Sequence, residues 1–411
     1  MSTAFRAILE GSQEVPPNDS TASGVGTFIF DSVAVAASYS FRIDGVDYGP
    51  VTGAPPQTPE IDDDVTSTHF HNQVRGQNGP VVFGQIAPAQ DADDLSIVAN
   101  ADGSWTVSGV WELTDPANVS IASFAGTLGS AEVGSDVPIY FNVHTNEFTG
   151  GEIRGQLVAI ADDNANVVTG TAGDDFLPGL GGDDVVLGLQ GDDTIEGGAG
   201  NDFLSGGPGD DSINTGAGDD VVLGGQGNDR IGGMAGRDVV RAGASDDFIA
   251  WNDPTGDVVF GGRGDDTILG GNVAADEIHG GQGDDLIRAF ATSPEDATAG
   301  DRLFGGRGDD VVIGGNADDV IDGGRGNDFL AGNDGADVFI FRANGNGQDT
   351  VADFDPSEDV AQLLGFDPDF DALAALSDEA GGTLLDLGGG DSVLFVGRTR
   401  AEFGADDFLI G

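Results

Sequence analysis

Carboxylates recur through the second half of the chain at an interval suited to a hard divalent cation. Aspartate returns every nine residues at Asp175, Asp184, Asp193, Asp202, Asp211, Asp220, Asp229, Asp238 and Asp247, and the interval resumes through Asp301, Asp310, Asp319, Asp328 and Asp337. Each occupies the sixth place of a unit GGxGxDxUx, with U a large aliphatic residue. GGAGNDFLS (Gly197 to Ser205), GGPGDDSIN (Gly206 to Asn214), GGQGNDRIG (Gly224 to Gly232) and GGRGDDTIL (Gly261 to Leu269, which adds Asp266) match it almost perfectly, and Asp285 stands in a further copy. Glycine adopts the positive φ of a tight turn and lets peptide carbonyls face an ion, while aspartate supplies the hard oxygens that Ca²⁺ prefers at high coordination number. These aspartates are the expected calcium ligands, together with the carbonyls of the adjacent glycine turns.

A second constellation lies in the first half, which holds three of the four histidines: His69, His71 and His144. On a strand His69 and His71 share a face, with Phe70 opposite, and His144 alternates with Val143. If Phe70 and Val143 enter a core, the three imidazoles converge outside it. Such a set suits Zn²⁺ or Cu²⁺ with a carboxylate or water completing the shell. The other reading, that the histidines hydrogen-bond loops at one end of the domain, stays open. Glu152 and Arg154 are expected to form an ion pair or cap, as is Arg75. His279 lies inside a repeat, where a surface position is the default.

The elements that position these residues follow from periodicity. In each repeat the three residues xUx form one short strand with the central aliphatic turned inward, as at Val186, Ile195, Leu204, Ile213, Val222 and Ile231. Two repeats then make one coil, and alternate turns lie on opposite edges. Numbered from Asp175, the insertions Trp251 to Asp257, Gly271 to Asp276 and Ala289 to Asp301 all precede even-numbered turns, as does the imperfect GGNADD (Gly314 to Asp319). One edge is therefore expected to keep a regular ladder (Asp193, Asp211, Asp229, Asp266, Asp285, Asp310, Asp328), with AGASDD (Ala242 to Asp247) as its weak rung. The other edge is expected to carry protruding, calcium-poor loops.

Before the repeats, apolar residues alternate at Val33, Val35, Ala37, Tyr39, Phe41 and Ile43, and again at Trp105, Val107, Gly109, Trp111 and Leu113, as in half-buried strands. An Asp102-Gly103 pair signals a hairpin. The expected fold class is all-β: a β-sandwich or barrel over residues 1–160, a parallel β-roll solenoid over 161–340, and a β-rich cap over 341–411 that closes the open end of the repeats.

Composition narrows the function. The 411 residues carry 72 acidic against 15 basic side chains, every basic one an arginine, for a formal charge of −57. The charge balance disfavours nucleic acid and anionic membranes as partners, and self-repulsion on this scale calls for bound cations. The chain has no cysteine, which removes disulfides and thiolate metal sites. Residues 1–10 lack the pattern of a cleaved secretory signal, and no apolar run reaches transmembrane length, so export is expected by another route. No HExxH, GxSxG, phosphate loop or catalytic cysteine occurs. One aliphatic side chain per nine residues is a thin return for ordering that backbone, so the repeats are expected to fold only as they bind calcium.

The nonapeptide units resemble the repeat-in-toxin (RTX), hemolysin-type calcium-binding family over about 170 residues. That resemblance implies export by a type I secretion apparatus with a C-terminal signal, and folding outside the cell. GADVFIFRANGNGQDTVADFDPSEDV (Gly335 to Val360) and ADDFLIG (Ala405 to Gly411) are similar to the C-terminal regions of such proteins. In the first half, ILEGSQEVPPNDSTASGVGTFIF (Ile8 to Phe30), STHFHNQVRGQNGPVVFGQI (Ser67 to Ile86) and YFNVHTNEFTGGEIRGQL (Tyr140 to Leu157) resemble the CHRD, or chordin-type, domain. The implied function is a secreted, extracellular calcium-binding protein whose CHRD-like module contacts a polysaccharide, matrix or other ligand. The alternative is a Cu/Zn redox enzyme or metal-binding module centred on the three histidines.

Overall fold

The computed structural model describes residues 2–14, 17–48, 65–86, 95–102, 104–112, 115, 119–148, 151, 153–233, 235–271, 273–290, 299–343 and 345–411. The chain divides into two compact units, residues 1–168 with 178–181, and residues 169–177 with 182–411. Nearly all of the regular structure is β.

In the first unit nine strands form one antiparallel sheet: β1 (Ser2–Glu10), β2 (Ser23–Asp31), β3 (Ala36–Asp44), β4 (Val65–His71), β5 (Val81–Ile86), β6 (Ser96–Ala99), β7 (Trp105–Trp111), β8 (Asp136–Thr145) and β9 (Ile153–Asp162). Their order is β5-β4-β8-β9-β1-β2-β3-β7-β6. The alternation read from the sequence selects the inner face: Tyr39, Phe41 and Ile43 of β3 and Trp105, Val107 and Trp111 of β7 are buried. The sheet curls until strands near opposite ends meet. Phe83 of β5 stacks on Trp111 of β7 with ring centroids 5.0 Å apart, and Phe41 stacks on Phe141 of β8 at 4.0 Å. Val33 and Val35 depart from the expected strand. Val33 is 82% exposed and Val35 has φ 53°, because both sit in the turn that returns β2 into β3. Leu113, Gly103 and Glu152 lie outside the described residues.

The second unit is the parallel solenoid. Strands Thr194–Ala199, Ser212–Ala217 and Arg230–Gly232 stack in one sheet, while Val185–Leu187, Phe203–Pro208 and Val221–Gln226 stack in the other. The register pairs Ile195 with Ile213 and Ile213 with Ile231, a step of two repeats, so each coil holds one strand in each sheet. The core is a single file of aliphatic side chains per sheet; Val186, Ile195, Leu204 and Val222 are fully buried.

Past the repeats, Gln348–Val351, Val360–Leu364 and Phe408–Ile410 extend the two parallel sheets. One of them ends in the antiparallel strands Leu376–Glu379, Gly382–Gly388 and Asp391–Val396. Phe354 packs on Phe339, Phe395 and Phe403 with ring centroids 4.8–5.8 Å apart. This aromatic cluster replaces the single aliphatic file and gives the last coil a conventional core.

Candidate functional site

The repeat aspartates form two hydrogen-bonded columns. On one edge the backbone N–H of Asp175 donates to Oδ1 of Asp193 at 2.8 Å, and the same bond recurs from Asp193 to Asp211, Asp211 to Asp229, Asp229 to Asp247, Asp247 to Asp266, Asp266 to Asp285, Asp285 to Asp310 and Asp310 to Asp328. The other edge runs through Asp184, Asp202, Asp220, Asp238, Asp257, Asp276, Asp301, Asp319 and Asp337. The three insertions are thus confined to turns of this second edge, as their numbering predicts. A neighbouring coil uses only one oxygen of each carboxylate.

The second oxygen lacks a partner along most of both edges: Oδ2 of Asp202, Asp220, Asp238, Asp257 and Asp337 on the second edge is buried without one, as it is along the first. On the first edge, Oδ2 of Asp193, Asp211, Asp229, Asp247, Asp266, Asp285, Asp310 and Asp328 is buried and has no hydrogen-bond partner. A buried, unpartnered carboxylate oxygen is costly unless a cation meets it. Burial, reinforced by neighbouring aspartates, pushes Asp193, Asp229 and Asp266 up to about 7 and Asp310 up to about 8. The glycines complete the cradle: a Cβ added at Gly206, Gly261 or Gly305 would collide with Oδ2 of Asp211, Asp266 or Asp310. These residues fit calcium.

On the second edge Oδ2 of Asp276 accepts from the N–H of Gly271 at 3.2 Å, and Oδ2 of Asp319 accepts from Gly315 at 2.6 Å. There the inserted or imperfect loop turns its own amide onto the oxygen that elsewhere lacks a partner. At the expected weak rung Ser245 takes φ 88° at the place where the neighbouring first-edge turns use Gly227 and Gly264, while Asp247 keeps both ladder bonds at 2.8 Å and a buried Oδ2 without a hydrogen-bond partner.

Four members of the columns escape the nonapeptide ruler. Asp257 and Asp276 follow insertions, and Asp349 and Asp359 continue the two columns beyond the repeats, at 3.1 and 2.9 Å from the amides of Asp328 and Asp337. The signal that finds them is the triplet aspartate, any residue, aliphatic (DVV, DEI, DTV, DVA), which survives where the glycines do not.

In the first unit the three histidines meet on the outer face of the sheet. Phe70 and Val143 are fully buried in the core, which turns His69, His71 and His144 outward on the adjacent strands β4 and β8. Nε2 of His144 stands 3.1 Å from Nε2 of His69, and the His69 ring lies 4.5 Å from that of His71. Burial, with the neighbouring imidazoles second, drives His69 down to about 3; burial likewise lowers His71, to about 4. Both rings are neutral at physiological pH.

Residues 72–80 fold across this face. His71 Nδ1 donates to the Gly79 carbonyl at 2.7 Å, the Gly79 amide donates to the Tyr140 hydroxyl at 3.2 Å, and Tyr140 stacks on His71 at 4.7 Å. Arg154, almost wholly buried, lies 3.5 Å above the Tyr140 ring and donates to Asn78 Oδ1 and the Gln77 carbonyl, each at 3.2 Å. Its place is thus a stack and a loop anchor. Arg75 forms the expected ion pair, binding Asp136 through Nε and Nη2 at 2.8 and 2.9 Å. His279 is sandwiched between Phe260 and Phe304 on the outer surface of the solenoid, with centroids 4.8 and 4.5 Å away.

A curled antiparallel β module followed by a parallel solenoid with columns of aspartate turns defines a calcium-roll type of protein. The family models agree with this geometry: the chain carries a CHRD domain at residues 5–157 and RTX calcium-binding nonapeptide repeats, in several overlapping matches, between residues 160 and 343. Among solved structures, the extracellular lipase LipA from Serratia marcescens is similar at 15% identity over 61% of this chain, with a TM-score of 0.23. That match spans 40% of the lipase chain. No curated protein matches.

Proposed function

We propose that this protein is exported unfolded by a type I apparatus and folds outside the cell around a column of calcium ions. Asp193, Asp211, Asp229, Asp247, Asp266, Asp285, Asp310 and Asp328, with the carbonyls of their glycine turns, would hold the main column. Asp184, Asp202, Asp220, Asp238, Asp257 and Asp337 would hold a second column, interrupted around Asp276 and Asp319. Calcium supplies neutralisation and cross-linking of successive coils. The observation that carries this reading is the unbroken run of first-edge aspartates with a buried, unpartnered oxygen.

Two variants test the difference between edges. Asp285→Asn keeps the Oδ1 acceptor but removes charge and a hard ligand where Oδ2 has no partner; it is expected to lose bound calcium and to raise the half-saturating concentration about tenfold, roughly the worth of one charge-assisted ligand. Asp319→Asn, whose Oδ2 already serves the Gly315 amide, should leave calcium content unchanged. Calorimetry with calcium counted by atomic emission reads both, and equal losses would refute the unequal-edge assignment.

The extracellular partner this surface suits is an anionic polysaccharide. Arg263, Gln282, Arg307 and Arg325 stand in register on successive coils, all exposed, beside the stacked Phe260, His279 and Phe304. In a chain of net charge −57 such a row attracts acidic groups, and flat rings present apolar faces to sugar. The CHRD module offers another charged recess, a cleft of about 380 Å³ bounded by Glu14, Arg75, Arg154 and Gln156. In calcium-saturated buffer, binding to polygalacturonate but not to neutral dextran is expected, weakened at least tenfold in Arg307→Glu/Arg325→Glu. If that variant binds normally and Arg75→Ala does not, the CHRD cleft is the contact instead.

A further inference from the structure

We propose that His69, His71 and His144 form a three-imidazole site for a borderline divalent transition metal, of the Zn²⁺ or Cu²⁺ class, separate in chemistry from the calcium turns. The donors are unlike: nitrogen here, carboxylate and peptide oxygen there, which is the division that separates borderline from hard cations.

Three observations carry the assignment. The first is convergence. One ring nitrogen from each histidine falls in a cluster whose atoms all lie within 4.8 Å of one another. The closest pair, His69 Nε2 and His144 Nε2, is 3.1 Å apart. Two ligands at about 2.1 Å from a tetrahedral ion stand roughly 3.4 Å apart, so a small rotation of either ring admits one.

The second is tautomer control. A carbonyl only accepts, so the bond from His71 Nδ1 to the Gly79 oxygen at 2.7 Å fixes the proton on Nδ1 and leaves the lone pair on Nε2. Metal-bound histidines are commonly oriented through the far nitrogen in this way. The Tyr140 ring, nearly parallel to His71 at an interplanar angle of 5°, and the Arg154 stacked on it hold the imidazole plane.

The third is a set of unanswered buried polar atoms. His71 Nε2, the nitrogen left with the lone pair, and Asn142 Oδ1 are buried and have no hydrogen-bond partner. Asn142 pairs with His69 across β4 and β8, so its side chain lies on the same face, and its oxygen is a candidate fourth donor or outer-shell acceptor. Loops that merely tie down histidines would satisfy these atoms.

The test uses the full chain, without an affinity tag, in excess calcium so that the carboxylate turns are filled. Zn²⁺ and Cu²⁺ are titrated separately by calorimetry, with Mg²⁺ as the hard-ion control. One tight equivalent of Zn²⁺ or Cu²⁺ and none of Mg²⁺ is expected. Copper electron paramagnetic resonance of the wild-type protein should show hyperfine coupling to at least two imidazole nitrogens, a readout that needs no mutant to fold. His144→Ala should lose the tight equivalent at least a hundredfold with its far-UV circular dichroism unchanged, and His279→Ala should keep it. Should His144→Ala fail to fold, the spectrum of the wild-type copper protein decides alone. Absence of nitrogen coupling, or retention of the equivalent in a folded His144→Ala protein, overturns the site and leaves an imidazole to imidazole hydrogen bond.

Discussion

Chelating calcium from the full chain is expected to unfold the repeats while leaving the first unit folded. Hydrogen exchange resolves the two: amides of the strands between Thr194–Ala199 and Phe329–Ala331 should exchange with little protection, while those of β1 to β9 stay protected. The physical asymmetry is in the cores. The curled sheet buries Phe5, Phe28, Phe30, Phe41, Phe70, Phe83, Phe141 and Trp111 in one cluster, each aromatic ring removing a large apolar area from water. The solenoid has one aliphatic side chain per repeat and, beside it, a buried aspartate whose burial raises its pKa, as at Asp257 and Asp301, pushed up to about 8. Without a cation these charges oppose the coil. With each site at a hundredfold its Kd, binding contributes about 2.7 kcal/mol, so a handful of ions exceeds the 5–15 kcal/mol that holds a typical domain together. Circular dichroism should lose most of the repeat β signal in chelator and regain it in millimolar calcium. Unchanged amide protection of the repeats in chelator would defeat the reading.

The solenoid was legible because its rule is local. A turn that needs positive φ at fixed places, an acid at the sixth and an aliphatic at the eighth can be read one unit at a time. Alternation of edges follows from counting, and it placed the insertions correctly. Glycine does not mark every turn: Asp257, Asp276, Asp349 and Asp359 join the columns without a full motif in front of them, the first two at counted turns after insertions and the last two beyond the reach of the count. The loss of the free oxygen at Asp276 and Asp319 depends on where a loop amide lands after an insertion, and spacing does not encode that.

The histidine cluster was legible only in part. The period of two assigned faces to His69, His71 and His144, but their contact depends on β4 pairing with β8 in one register across more than seventy residues of chain. The stack of Arg154, Tyr140 and His71 under residues 72–80 had no sequence signal at all. For Arg154 the spacing suggests an ion pair or cap with Glu152, which lies outside the described residues; its burial against a ring and its two loop acceptors are a tertiary outcome.

Protons and calcium compete for the same oxygens, which fixes the sign of a second large effect. In the calcium-free protein Asp211 and Asp328 are raised to about 6, Asp193, Asp229, Asp266 and Asp285 to about 7, and Asp310 and Asp337 to about 8, all from an ordinary value of 3.8 and all chiefly through burial. Above pH 8 these groups are ionised whether the chain is folded or not, and the folded roll bears the whole cost. As pH falls through 8 to 6 the folded state takes up protons that the unfolded chain refuses, so folding gains stability, and the gain is complete only below about pH 4, where the unfolded carboxylates protonate too. Acid therefore substitutes in part for calcium. In chelator, the melting temperature of the repeats, or the β content where no melt is resolved, is expected to rise from pH 8 to pH 5, by about 10 °C if several carboxylates act together. With limiting calcium the trend reverses: apparent affinity should weaken over the same interval, with protons released on binding seen as a buffer-dependent heat. A calcium-free roll that melts at the same temperature from pH 8 to pH 5, or one that loses stability on acidification, would show that the raised carboxylates are not what calcium neutralises.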